Sequence, residues 1–542
     1  MRSNRLSTTG AGLVVLVVCV ASTHCSDDPV DTKPKDAGAD VRFRPDGSTC
    51  GDAGAPVQAK SNAQCTTELG ETAVFVAAKG ACAKIKAADC ALVEGTVDSD
   101  RTLLIGATLP TTGDDAASGV LIINSARLAI RELNNATKTT GGITSPDKCA
   151  AGRPLALVVC DSEDDTATGH DRKRGATHLV SDLGITAVVG GYTSGGTVEI
   201  TTNVTLPAKA LTISPTSTAP TLTDLPGATV DGVRLVWRTT PSDALQSLVL
   251  ALQLQELEKQ IRLTNGNVDI KLGVVSKLDP YGQGLRNALK AAGQLNGKPV
   301  SDPANAANFV DLTYNEGSAT DLAAAATTLG TARPDVVLLA GTTETITGIV
   351  VPYESVVANK KPTYLTPDGP RTPELLTAIK ANASLRTRVR GVVPGVPTSL
   401  ADSFFNDRYK VAFPGASGIS YGMAEAYDAI YLLAYAAATK DGLLTGADFA
   451  KGLAKTAGVT PRIDVGPVGL AQGLQLMNEG RGINFNGASG SLDFDVSKGE
   501  APGDYTIYCV KLDGAGEPFF FDATGQTYSA EQKKLVGTFN CN

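Results

Sequence analysis

Histidine is almost missing from this 542-residue chain, which carries only His24, His170 and His178 beside one tryptophan and three methionines. So few imidazoles leave little material for histidine-based proton transfer or a histidine-rich metal site. A basic excess is missing as well. Lys and Arg number 48 against 56 Asp and Glu, a net charge of −8, and no segment supplies the basic face that a nucleic acid requires. No CxxC pair occurs for zinc and no GxSxG elbow for a nucleophilic serine, and the GxG of "YGQGL" lacks the third glycine of a dinucleotide loop. Together these absences argue against an enzyme, a metal site, a cofactor and a nucleic-acid partner.

What is present begins with Arg2 and Arg5 followed by the apolar run "AGLVVLVVCVA" at 11–21, too short to span a bilayer. This reads as an export signal over 1–24. Cys25 stands where a bacterial lipoprotein signal is cut and resembles a lipidated cysteine, although His24 occupies a place where that pattern has a small residue. The expectation is a periplasmic or cell-envelope protein held by a lipid anchor, with plain secretion as the alternative. Without Cys19 and Cys25, eight cysteines remain, Cys50, Cys65, Cys82, Cys90, Cys149, Cys160, Cys509 and Cys541, an even set that points to disulfides in an exported chain. The simplest pairing joins chain neighbours: Cys82 with Cys90, Cys149 with Cys160, and Cys509 with Cys541.

Residues 25–64 are rich in Asp, Gly, Ala and Pro and read as a disordered tether, followed by a small cysteine-containing segment at 65–101. From 102 the pattern alternates buried strand, turn and helix. "TLLIGATLP", "LALVVCD", "AVVGG" and "ALTI" are strands, and Ile122, Ala126, Ile130 and Leu133 recur at helical spacing. After "LVWRTTPSD", Ser242 caps a helix expected to bury Leu245, Leu248 and Leu252, and a second alternating series runs from "IKLGVVS" to "PTYLTPDG". Further on, "RVRGVVPGV", "GSLDFDV" (490–496) and "YTIYCVKL" read as strands, and "MAEAYDAIYLLAYAAAT" as a helix. The fold class is α/β, two doubly wound lobes joined by a multi-strand hinge.

Ligands of open α/β sheets sit beyond the carboxyl ends of the strands, so the turns there are the place to look. Ser194 lies in "GGYTSGG", Thr216 and Thr218 in "SPTSTAP", Tyr281 in "LDPYGQG", Thr342 in "AGTTE" and Asp368 in "TPDG". Each is an ordinary turn residue taken singly; their recurrence in both lobes suggests a shared site. The acidic run "CDSEDD" lacks calcium-loop spacing and reads as a solvated turn, and His170 and His178, eight apart, do not share a helical face.

In order and spacing, "IGATLPTTGDDAASG", "LVVCDSEDD", "VVGGYTSGGT", "ISPTSTAPTLT", "VWRTTPSD", "YGQGL", "DVVLLAG", "YLTPDG" and "YDAIYLLA" resemble the type I periplasmic binding proteins of the leucine/isoleucine/valine-binding branch, receptors of ABC importers. The resemblance implies lobes at 102–238 plus 393–487 and at 239–392 plus 488–542, with crossings near 235–241, 390–396 and 486–492. It also implies an amino-acid ligand whose carboxylate meets Ser194 and Thr218 and whose ammonium meets the Thr216 carbonyl and Asp368. Tyr281 closes over the ligand, Thr342 stands where the family has a second tyrosine, and Tyr421 is the nearest aromatic from the later helix. The implied partners are a small-molecule ligand and an ABC permease complex, with the protein a monomer; a sensing receptor of the same fold, and less so an enzyme, are the rivals.

Overall fold

The computed structural model describes residues 59–147, 150–163, 169–357, 359–395, 399–416, 420–458 and 460–541. The expected signal at 1–24, Cys25, Cys50, Cys149 and most of the tether fall outside these residues.

Strands buried on both faces must be apolar without interruption, and the runs at the start of the first lobe meet that demand. They form β1 (Leu92–Gly95), β2 (Leu103–Leu109), β3 (Leu155–Asp161), β4 (Ala187–Gly190), β5 (Leu211–Ser214) and β6 (Val236–Arg238), in the spatial order β6-β5-β4-β2-β3-β1. All pair in parallel except β1, which runs antiparallel to β3. Alternate side chains go to opposite faces: Leu155, Leu157 and Val159 join one core with helix α1 (Ala116–Ala136), while Ala156, Val158 and Cys160 join another with Leu179 and Val74. The four helical positions expected in α1 are all fully buried.

The second sheet contains β7 (Leu272–Lys277), β8 (Phe309–Tyr314), β9 (Val336–Ala340), β10 (Thr363–Thr366), β11 (Val389–Pro394), β12 (Tyr505–Leu512), β13 (Pro518–Phe521), β14 (Gln526–Ser529) and β15 (Lys534–Gly537). Its order is β8-β7-β9-β10-β11-β12-β14-β15, with β13 paired to β12. Cores again form on both faces, Val337 and Leu339 on one side and Val336 and Leu338 on the other.

Helix α2 (Asp243–Thr264) is capped by Ser242, as the sequence predicts, but it buries a different face. Gln246, Val249, Leu250, Gln253, Leu254 and Leu257 point inward, and Leu248 is 38 % exposed. Both buried glutamines donate from their amides, Gln253 Nε2 to Gln526 Oε1 at 2.8 Å and Gln246 Nε2 to the Val392 carbonyl at 3.4 Å. Leu245 and Leu252 of the expected stripe still pack, partly buried, against this core, so apolar spacing finds the edge of the buried face and not its centre. Helix α3 (Met423–Ala437) packs against α1 and leaves only Ala424 outside the buried set.

Three further expectations are corrected. Residues 490–496 form no strand; they make isolated bridges, and Phe494 packs edge-on against Trp237 at 5.2 Å between centroids. Residues 488–501 thus belong with the first lobe's core, and the third crossing lies near 502–504, just before β12, not at 486–492. The segment at 65–101 is no separate unit, because β1 extends the first sheet; a helix at Asn62–Leu69 also begins inside the range read as tether. Finally, Cys65 bonds to Cys82 and Cys90 to Cys160, while Cys509 bonds to Cys541 as the chain-neighbour rule expects. The antiparallel run of β1 along β3 brings Cys90 to Cys160 across 70 residues of chain.

Peptide mapping of the unreduced protein is expected to recover Cys65–Cys82, Cys90–Cys160 and Cys509–Cys541 as linked pairs. A Cys82–Cys90 link would contradict this arrangement.

Candidate functional site

The carboxyl ends of the strands in both sheets converge on one cleft. From the first lobe come Tyr192, Thr193 and Ser194 after β4, and Thr216 after β5. From the second come Lys277, Asp279 and Tyr281 at the end of β7, Thr342 after β9, and Asp368, Gly369 and Arg371 after β10. Ser420 and Tyr421 close the cavity from the turn before α3. The cavity holds about 410 Å³ of unfilled space, its mouth included. Gly422 fits that turn because it has φ +96°, and a Cβ there would stand 2.4 Å from Thr216 Cγ2.

Six of the seven expected residues line this cavity: Ser194, Thr216, Tyr281, Thr342, Asp368 and Tyr421. Thr218 does not. It is fully buried behind the wall, where its hydroxyl donates to Asp243 Oδ2 at 2.9 Å and its carbonyl accepts from the Asp243 amide and from Arg238 Nη1, both at 2.8 Å. Ser194 Oγ accepts from the Ala219 amide at 3.2 Å, and Thr216 Oγ1 donates to the Tyr192 carbonyl at 2.6 Å. The Tyr421 hydroxyl pairs with that of Thr240 at the first crossing.

Asp368 is the centre of the second-lobe wall. The Tyr281 hydroxyl donates to its Oδ1 at 2.9 Å and accepts from the Gly369 amide at 3.0 Å. Burial pushes the Asp368 carboxyl up to about 6, against the pull of hydrogen bonds from Tyr281 and Gln246. Behind it Asp243 is raised further, by burial first and then by the charge of Asp368. No Lys or Arg among the described residues forms an ion pair with Asp368.

The sequence reading missed two cations in the wall. Arg371 is committed to Asp522, with contacts of 2.7 and 2.9 Å, and lies over the rings of Tyr508 and Phe520. Burial acts to lower Lys277, yet Glu344, Asp279 and Glu316 around it hold its ammonium above the ordinary range. Lys277 ends a strand directly before the "DPYG" turn, which was the one available signal, and nothing in its neighbourhood along the chain distinguishes it from a surface lysine. The lobes also touch directly: Thr342 Oγ1 donates to Asp115 Oδ2 at 3.2 Å, and Arg172 lies 3.8 Å from Glu316.

A sequence profile described as "Periplasmic binding protein" matches residues 102–515. The chain belongs to the periplasmic binding protein family. It has several partial sequence matches to proteins named for binding leucine, isoleucine and valine. It is 30 % identical over 203 residues to the Leu/Ile/Val-binding protein BraC3 of Rhizobium johnstonii, a match covering 38 % of this chain and 46 % of BraC3. The alignment thus spans less than half the length of that relative. A longer match, 26 % identical over 397 residues, covers 72 % of this chain and 83 % of the chemotactic signal transduction system substrate-binding protein BasB of Halobacterium salinarum. Among solved structures, the branched-chain amino acid transporter substrate-binding protein LivJ of Streptococcus pneumoniae in complex with isoleucine superimposes with a TM-score of 0.54 at 22 % identity, over 75 % of this chain and 96 % of that one. A solute-binding protein of R. palustris in complex with 4-hydroxybenzoate gives 0.57 at 12 % identity, over 81 % and 97 %. These structural likenesses support the periplasmic-binding-protein fold and leave the ligand open.

Raised carboxyls in the cleft and three more on the first-lobe side of the hinge act together on the pH response. Burial pushes Asp402 and Asp428 up to about 7 and Glu425 to about 8. The folded chain keeps these protons after the unfolded chain has lost them, so stability falls as pH rises from about 4 to about 8. The urea midpoint is expected to be lower at pH 8 than at pH 5; a rise would contradict the burial of these groups.

Proposed function

We propose that this protein is an extracytoplasmic solute-binding protein that takes an amino acid in the cleft, closes over it as a monomer, and presents it to an ABC permease. Asp368 carries the reading: a buried carboxylate, oriented by Tyr281, with no ion-pair partner among the described residues, facing first-lobe hydroxyls across one cavity. A zwitterion leaving water needs both its charges matched, or each costs several kcal/mol. Asp368 serves the ammonium. Ser194 and the neighbouring hydroxyl of Thr193 serve the carboxylate. Thr218 acts indirectly, holding Asp243 and the turn that carries Thr216. Tyr281, Thr342 and Tyr421 enclose what remains of the ligand, and Cys25 supplies the lipid anchor.

The names of the relatives support this assignment, since BraC3 is called a Leu/Ile/Val-binding protein and the LivJ structure holds isoleucine. One relative favours a second reading. BasB is named as part of a chemotactic signal transduction system, so a receptor that passes the closed form to a sensor is the alternative. Capture of a permease from membranes by the ligand-loaded protein distinguishes the two.

A thermal-shift panel of amino acids, amides and benzoates is expected to give a rise in midpoint with amino acids, because ligand binding stabilises the native state. Asp368→Asn is expected to weaken amino-acid binding by about 2–3 kcal/mol, the scale of a charge-assisted hydrogen bond. Unchanged affinity in calorimetry would remove Asp368 from the ammonium site.

A further inference from the structure

Beyond Lys277 and Thr342 the cavity continues into a wider part of the cleft, where two first-lobe carboxyls, Asp115 and Glu163, line the wall. Asp115 is 5 % exposed; Thr342 holds its Oδ2, whereas its Oδ1 has no hydrogen-bond partner among the described residues. Facing Asp115 are Glu344 and Lys277 from the second lobe, with Thr343 and the Tyr192 ring beside it. Facing Glu163 are Asp115, Arg172, Lys277 and Glu316.

The cations here are already shared. Lys277 Nζ lies 3.5 Å from Glu316, 3.7 Å from Asp279 and 3.8 Å from Glu344. Arg172 contacts Glu199 at 3.7 Å and Glu316 at 3.8 Å. Among the described residues carboxylates therefore outnumber cations here, and a buried carboxylate in that position either keeps a proton or takes another cation. Burial followed by the charge of Glu344 pushes Asp115 up to about 7, and burial followed by the charge of Asp115 pushes Glu163 to about 8. Among the described residues no three acidic, histidine or cysteine side chains are placed to hold a metal ion, so an organic cation fits better.

We propose that Asp115 and Glu163 form a second cation subsite, and that the ligand is a diamino acid whose distal ammonium reaches this pair while its α-ammonium meets Asp368. The proposal rests on the amino-acid reading above. An apolar side chain in the same place would leave Asp115 Oδ1 buried against hydrocarbon. A distal ammonium supplies both the missing donor and the missing charge, so the subsite selects for it and against its apolar isostere.

The test is calorimetry on the exported protein with two matched pairs, L-lysine against L-norleucine and L-ornithine against L-norvaline, which differ by one ammonium. At least one diamino acid is expected to bind about tenfold or more tightly than its partner at pH 8, as for a charge-assisted contact. The preference should shrink toward pH 6 as the two carboxyls take up protons. It should shrink also in Asp115→Asn and, as a second and less buried variant, in Glu163→Gln. Norleucine and norvaline binding as tightly as lysine and ornithine, or a preference that survives both substitutions, overturns the subsite while the amino-acid reading stands. Binding of none of the four overturns the subsite, and the thermal-shift panel then decides the amino-acid reading.

Discussion

A carboxyl taken out of water is costly to ionise unless donors and a cation replace its hydration, and the cleft keeps two carboxyls back to back. Asp368 has donors from Tyr281 and Asp243 has the Thr218 hydroxyl, but neither has a lysine or arginine in ion-pair contact among the described residues. Much of the site's architecture follows from that shortage. Tyr281 is fixed between Asp368 and the Gly369 amide. Arg238, instead of pairing with Asp243, gathers the carbonyls of Thr218 and Ala219 and an ion pair with Glu500. An ammonium that arrives with a ligand would supply the ion-pair partner that Asp368 lacks among the described residues.

The same residues tie the site to the crossings between lobes. Asp243 opens α2 at the first crossing, and its amide bonds to the Thr218 carbonyl of the first lobe. Arg238 and Glu500 join the first crossing to the third, and Tyr421 reaches Thr240 from the turn before α3. Wall and hinge therefore share side chains, so a ligand that orders the wall also biases the hinge. On the proposed function, binding energy would appear as a shift between open and closed populations, whose size is set by the ligand's different contacts in the two.

Much of this was legible from the chain. Uninterrupted apolar runs marked the inner strands because burial on both faces leaves no room for alternation, and the turns after them held most of the wall because turns carry the hydroxyls and carboxylates. The failures have physical reasons. Thr218 was placed in the wall because the direction of each side chain within a tight turn depends on backbone angles that residue type does not encode. The buried face of α2 was misread because Gln246 and Gln253 are paired inside the protein and break the apolar count. Residues 490–496 alternate like a strand, yet Phe494 packs on Trp237 and no partner strand exists there. Asp115, Glu163 and Lys277 meet only across the cleft, from segments about 50 to 160 residues apart, a distance that local pattern cannot bridge.

On the proposed function Asp368 waits for the ligand's α-ammonium. The direct measurement is the affinity of the bound amino acid set against the same molecule with that ammonium replaced by hydrogen: 6-aminohexanoate for lysine, 4-methylpentanoate for leucine. The account predicts a loss of about a hundredfold with the deaminated acid, the scale of one charge-assisted contact plus the buried carboxylate left unmatched. Equal binding of the deaminated acid would contradict it.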